Sequence, residues 1–149
     1  LPGMIARGDG YLVNVASAAG LLSQIGDAAY TATKHAAVGF AESLAIAHGD
    51  DGVRVSVVCP QYVATPMIGY GPADDPAHPG VLTPEAVARA VLDGLRSERF
   101  LILPHPQVAA YVLRKASDPE RWIAGMRALR RRALETHGSA DPVSVHRLV

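Results

Sequence analysis

The sequence predicts an α/β fold built on a parallel sheet. Short β-prone apolar runs recur at 11–15, 53–59 and 100–103, and stretches with helical character separate them. Helix-length connections imply parallel pairing, because antiparallel neighbours can be joined by tight turns. At 149 residues, 49% of them hydrophobic, the chain is long enough for one domain with a buried core.

Each element has a local reason. The run "YLVNV", Tyr11 to Val15, lies between Gly10 and the small-residue stretch "ASAAG" and predicts a buried strand. Gly20 to Gly26 predicts a loop. Asp27 is placed to cap a helix running to about His48, where Gly49 and the turn residues Asp50, Asp51 and Gly52 stop it. Its alanines (Ala32, Ala36, Ala37, Ala41, Ala45, Ala47) suit close packing on both sides. Val53 to Cys59, "VRVSVVC", predicts a second strand ended by Pro60. From Pro60 to Leu82 there are five prolines and no convincing period, the mark of a long lid or binding loop. Thr83-Pro84-Glu85 is a helix start, with a capping threonine and proline at the first helical position. Val87, Val91 and Leu95 form its apolar stripe. "FLIL", Phe100 to Leu103, predicts a third strand. Two further helices are expected at about Pro106 to Ala116 and Pro119 to Glu135. The second should bury Trp122, Ile123, Met126 and Leu129 and present Arg127, Arg130, Arg131 and Arg132 elsewhere. From Thr136 the composition predicts a flexible tail, giving one domain over 1–135 and a tail over 136–149.

Composition excludes several function classes. Lys and Arg number 14, as do Asp and Glu, so no net charge draws nucleic acid or an anionic membrane. Arg130 to Arg132 are most simply a solvated helix face. Cys59 is the single cysteine, which rules out a disulfide framework and fits a cytoplasmic protein. At a strand end it is expected to act as a small buried hydrophobe. The histidines (His35, His48, His78, His105, His137, His146) are scattered, and no metal site is expected. No apolar run approaches the roughly 20 residues that span a bilayer, and no basic-then-apolar leader is present, so no membrane partner is expected. The chain starts at Leu1 and enters a strand within about a dozen residues, which suggests a fragment of a longer protein.

Chemistry concentrates at one edge of the expected sheet. Tyr30 and Lys34 are four residues apart at a helix head, so their side chains share a face. Ser17 lies just past the first strand. Parallel α/β sheets bind ligands outside the carboxyl ends of their strands, so Ser17 and the segment from Pro60 should open onto one crevice. A hydroxyl to hold an oxygen, a proton donor and a cation are what carbonyl–alcohol interconversion needs. Asn14 is expected to be satisfied by backbone within the sheet. Ser23, Gln24 and Asp27 either border the pocket or are solvated loop residues.

"GYLVNVASAAG", "YTATK" and "VRVSVVCPQYVATPM" together resemble the C-terminal half of a short-chain dehydrogenase/reductase. Tyr30 follows Ser17 by thirteen residues, the family's spacing, and Lys34 completes its Tyr-x-x-x-Lys motif. The resemblance covers residues 10–103. It implies the C-terminal part of a doubly wound parallel-sheet (Rossmann-like) domain, here followed by two extra C-terminal helices. It further implies an NAD- or NADP-dependent oxidoreductase interconverting a secondary alcohol and a ketone on a small, mostly apolar substrate. Tyr30 would be the proton donor and acceptor. Lys34 would lower its pKa and hold the nicotinamide ribose, and Ser17 would hold the substrate oxygen. Pro60, Val63 and Thr65 would lie against the nicotinamide, and Met67 to Leu82 would form a substrate lid. Gln61 stands where the family has glycine and would be strained if that position needs positive φ. The complete protein would be a homodimer or homotetramer packed through the Tyr30 helix.

The family's glycine-rich phosphate loop, a catalytic asparagine and the residue choosing NAD or NADP lie upstream of these segments. "GDG" at 8–10 and "GYG" at 69–71 do not replace the loop. The isolated chain is therefore expected to be inactive and poorly stable. The alternative is a non-catalytic remnant serving as a binding or dimerisation module.

Overall fold

The computed structural model describes residues 1–71, 76 and 78–148. The main elements run α1 (Pro2–Arg7), β1 (Gly10–Val15), α2 (Ala28–His48), β2 (Val53–Val58), β3 (Tyr62–Val63), β4 (Val81–Leu82), α3 (Pro84–Arg96), β5 (Leu101–Ile102), α4 (Gln107–Ser117), α5 (Pro119–His137) and α6 (Pro142–Val145). Short 3-10 turns occupy Ala18–Gly20, Pro66–Ile68 and His146–Leu148.

The valines of β2 explain its central place. β1 pairs with it in parallel from Gly10↔Val53 to Val15↔Val58, and β5 pairs in parallel on its other side at Val57↔Leu101. Val53, Val55, Val57 and Val58 are all buried, as a strand covered on both faces requires. On one face, Ala41 of α2 packs with Val55, Val57 and Cys59, joined by Leu12 and Leu103. Successive strand residues alternate sides, so Ile102 points away from Leu103 and meets α3. Gly94 makes that approach possible: a Cβ there would come within 2.5 Å of Ile102 Cδ1. α2 thus covers one face of the parallel sheet and α3 the β5 side of the other, an α/β architecture. On that second face Val13 and Val15 of β1, expected in a buried strand, are 41% and 67% exposed because no described helix packs over them.

The helix starts follow their caps. Asp27 Oδ1 accepts the Tyr30 N–H at 2.8 Å, and Thr83 Oγ1 accepts the Ala86 N–H at 3.2 Å with Pro84 at the first helical position. α1 had no counterpart in the sequence reading.

Three further features differ from expectation. The segment after Pro60 contains β3 and β4, which pair in parallel and close a loop over a cluster of Ala64, Ile68 and Val81. Strands of two residues carry no period to detect. Residues 72–75 and 77 of the expected lid lie outside the described residues.

The stretch from Thr136, expected as a flexible tail, is folded onto the domain as far as Leu148; Val149 lies outside the described residues. Gly138, at φ 70°, closes α5, and Asp141 caps α6 by accepting the Ser144 N–H at 2.7 Å. Val145 packs with Ile25 and Ala133, and the His146 ring lies 5.7 Å from that of Tyr62. These contacts join distant parts of the chain, which local composition does not register.

Ile123, expected inside, is 58% exposed. Trp122, Met126, Leu129 and Ala133 instead form the inward stripe at helical spacing, and Ile123 sits one step around the helix.

Candidate active site

Ser17 is held by the continuation of the β1–β2 ladder. The Ala16 N–H donates to Val58 O at 2.8 Å and the Ala18 N–H to Pro60 O at 2.7 Å, so the chain on either side of Ser17 is fixed. Ser17 is buried, and its Oγ accepts the Ala19 N–H at 3.1 Å, starting the turn Ala18–Gly20. A hydroxyl that accepts this bond retains its own proton and a second lone pair.

Gly20 brings that turn against α2. A Cβ at Gly20 would fall 2.5 Å from the Lys34 carbonyl oxygen. On α2 the Lys34 Nζ lies over the Tyr30 ring, 5.4 Å from its centroid, and both residues are half-buried. Among the described residues the Lys34 ammonium makes no hydrogen bond or ion pair. The fully buried Cys59 links the two parts. Burial pushes its thiol up to about 11, although a backbone hydrogen bond from Ser17 and the positive charge of Lys34 pull the other way. Cys59 therefore stays protonated near neutral pH and is no nucleophile there.

Pro60, Val63 and Thr65 are half-buried beyond the carboxyl end of β2, and Thr65 Oγ1 donates to Val63 O at 3.2 Å. Gln61 is unstrained: Glu98 is the only described residue other than glycine with positive φ. Glutamine fits this backbone without the conformation that only glycine adopts freely.

His105 went unrecognised in the sequence and organises this segment. It is 2% exposed. Its Nδ1 accepts the Gln61 N–H at 3.0 Å, so the ring proton lies on Nε2, which donates to Tyr62 O at 3.0 Å. Burial lowers its pKa and reinforces the neutral form. The one available signal was its position just after the "FLIL" strand, where the carboxyl edge of the sheet lies.

A cavity of about 260 Å³ opens beside Ser17, with Leu22, Ile25, Trp122 and Met126 among its apolar walls. Ser23, Gln24, Gln61 and Tyr62 also line it, so two of the loop residues singled out in the sequence border a pocket. Burial raises the pKa of the Tyr62 phenol, opposed by a hydrogen bond with Gln24. Asp27 serves instead as the α2 cap. Ser17 is the member of the Ser17–Tyr30–Lys34 set that lines this cavity; Tyr30 and Lys34 pair with each other on α2, and neither lines it.

A family model described as short chain dehydrogenase matches residues 1–75, half of the chain, including Ser17, Tyr30, Lys34 and the segment from Pro60 to Thr65. The chain belongs to the short-chain dehydrogenase family. A D-beta-hydroxybutyrate dehydrogenase of Rhizobium meliloti (strain 1021) is 31% identical over 125 residues, covering 84% of this chain and 48% of the relative. A short-chain dehydrogenase from Sphingobium yanoikuyae, solved in complex with NADPH, superposes with a TM-score of 0.63 at 26% identity, over 91% of this chain and 48% of the other. A short-chain dehydrogenase/reductase from Burkholderia phymatum, solved in complex with NAD, superposes with a TM-score of 0.65 at 29% identity, over 80% of this chain and 51% of the other. This short-chain dehydrogenase chain spans about half the length of these relatives. Among its described residues no helix is long and apolar enough to cross a membrane.

Proposed function

We propose that the chain carries the reactive groups of an NAD- or NADP-dependent oxidoreductase that interconverts a secondary alcohol and a ketone. The nicotinamide, when bound, supplies the hydride acceptor or donor. Ser17 donates its hydroxyl proton to the substrate oxygen and holds that oxygen as it gains negative charge. Tyr30 passes a proton to the same oxygen in reduction and takes it back in oxidation. Lys34 steadies the charge left on the phenol oxygen and hydrogen-bonds the nicotinamide ribose. Its ammonium is unpaired among the described residues, which suits a diol. Pro60, Val63 and Thr65 lie along the nicotinamide, on a segment pinned by His105.

The observation that most supports this reading is the contact between the turn after Ser17 and the Lys34 turn of α2, made through Gly20. That contact sets the turn after Ser17 against the α2 turn that carries Lys34, beyond the carboxyl edge of a parallel sheet where ligands of such sheets bind, and so supports a common role for the three side chains. The complexes of related proteins with NADPH and NAD point to the same cofactors.

In this reading residues 1–135, with the folded segment after them, are the C-terminal portion of one Rossmann-like domain in a cytoplasmic protein. The outward face of α2, where Phe40 and Ile46 are 60% and 79% exposed, forms the contact of a homodimer or homotetramer.

Two measurements test the enzymatic reading. In a complete version of the protein, turnover of secondary alcohols with NAD and NADP should fall about 100- to 10,000-fold in Tyr30→Phe while cofactor binding persists; near-normal turnover would exclude the proton-transfer role. Nicotinamide mononucleotide binding, followed by NMR on this chain, should weaken in Lys34→Met. Unchanged binding would remove Lys34 from ribose recognition.

A further inference from the structure

We propose that the cavity beside Ser17 takes a ligand with an apolar body and a carboxylate end, and that Arg114 holds the carboxylate. This deepens the reading above and rests on it for one point, that the reacting oxygen lies at Ser17. The substrate class is then a hydroxy- or oxo-carboxylic acid.

Size and lining set the body of the ligand. About 260 Å³ accommodates about eight or nine groups of water size, at roughly 30 Å³ each. Leu22, Ile25, Trp122, Met126 and Leu129 give apolar walls that match an apolar ligand body, and Ser17, Ser23, Gln24, Gln61 and Tyr62 supply the polar part of the lining.

Charge sets the other end. Among the described residues Arg114 is the one charged side chain lining this cavity. Its guanidinium lies over the Tyr111 ring, 5.3 Å from the centroid, where cation–π attraction holds it. Arg114 is exposed, and among the described residues its guanidinium joins no ion pair and donates to no protein group, so a ligand competes there only with water. A guanidinium presents its N–H donors in a planar fork that matches a carboxylate. Arg114, Trp122 and Met126 also line an adjoining hollow that holds Asp118 and Arg121. Asp118 Oδ1 is engaged as the α5 cap, accepting the Arg121 N–H at 2.9 Å. Two arginines against one aspartate leave the mouth positive. A ligand filling the cavity therefore presents its carbinol or carbonyl to Ser17 and its anion to Arg114.

Trp122 is the single tryptophan of the chain and lines the cavity, so its fluorescence reports occupancy without turnover or cofactor. The chain is titrated with octanoate and, separately, with octan-1-ol. Octanoate should bind about tenfold tighter or more, and added salt should reduce that preference while leaving octan-1-ol unaffected. Arg114→Met should abolish the preference and leave octan-1-ol binding unchanged, and Arg114→Lys should restore part of it. Equal binding of the two probes, or a preference that survives Arg114→Met, overturns the proposal. The two ideas fail separately. A carboxylate preference combined with normal turnover in Tyr30→Phe sinks only the catalytic reading; loss of turnover in Tyr30→Phe without a carboxylate preference sinks only this one.

Discussion

His105 Nδ1 accepts the backbone N–H of Gln61 at 3.0 Å, a bond that lasts only while Nδ1 keeps its lone pair. Burial holds His105 below the ordinary imidazole value of 6.5, and His146 is displaced in the same direction for the same reason. As pH falls through that value, the unfolded chain takes up protons at these histidines before the folded chain does. Stability contributed by the neutral rings is therefore complete above about pH 6.5 and lost as pH falls below it. The urea midpoint should decline between about pH 7 and about pH 5, with a shallower slope in His105→Gln. A slope identical in the variant would remove His105 from the pH response.

Alkaline stability follows the opposite sign. The Cys59 thiol is raised from 9.0 to about 11 by burial, so the unfolded chain loses that proton first. Stability should fall as pH rises through this window. At about pH 8 a thiol reagent should label Cys59 only through unfolding, with a rate that climbs with denaturant. Rapid labelling of the native chain would contradict the burial on which this rests.

Gly20→Ala should cost about 1–3 kcal/mol of stability, since a methyl placed 2.5 Å from the Lys34 carbonyl oxygen forces backbone apart. Because the displaced turn carries Lys34, nicotinamide mononucleotide affinity should fall with it. Chemical denaturation and an NMR titration read the two effects; a variant as stable as the parent would show that the contact yields cheaply.

Asp27→Ala should cost about 1 kcal/mol by removing the acceptor of the Tyr30 N–H, whereas Asp27→Asn, also a good cap, should retain most of it. Equal losses in the two variants would mean that charge, not the capping bond, is what Asp27 supplies.

These residues differ in how far they could be read from the chain alone. Asp27 and Thr83 act on N–H groups three positions away, and helix starts written in such local chemistry are visible in sequence. The same holds for Tyr30 and Lys34, one helical turn apart, and for Ser17 at a recognisable strand end. The partners of His105 lie 44 and 43 positions away, and no local pattern marks them. β3 and β4 escape for another reason: each has two residues and is stabilised by the other rather than by its own period.

By itself, the sequence determined the fold class, the caps of α2 and α3, the order of the three strands of the main sheet along the chain and the pairing of a phenol with an ammonium on one helical face. All of these follow from interactions within a few residues. The tertiary structure alone decided that residues 136–148 fold back onto Ile25, that Gln61 sits unstrained under His105, and that a cavity lies between Ser17 and Arg114. Each depends on surfaces that meet only after the chain has closed long loops, and burial and charge there are set by the assembled neighbours rather than by adjacent residues.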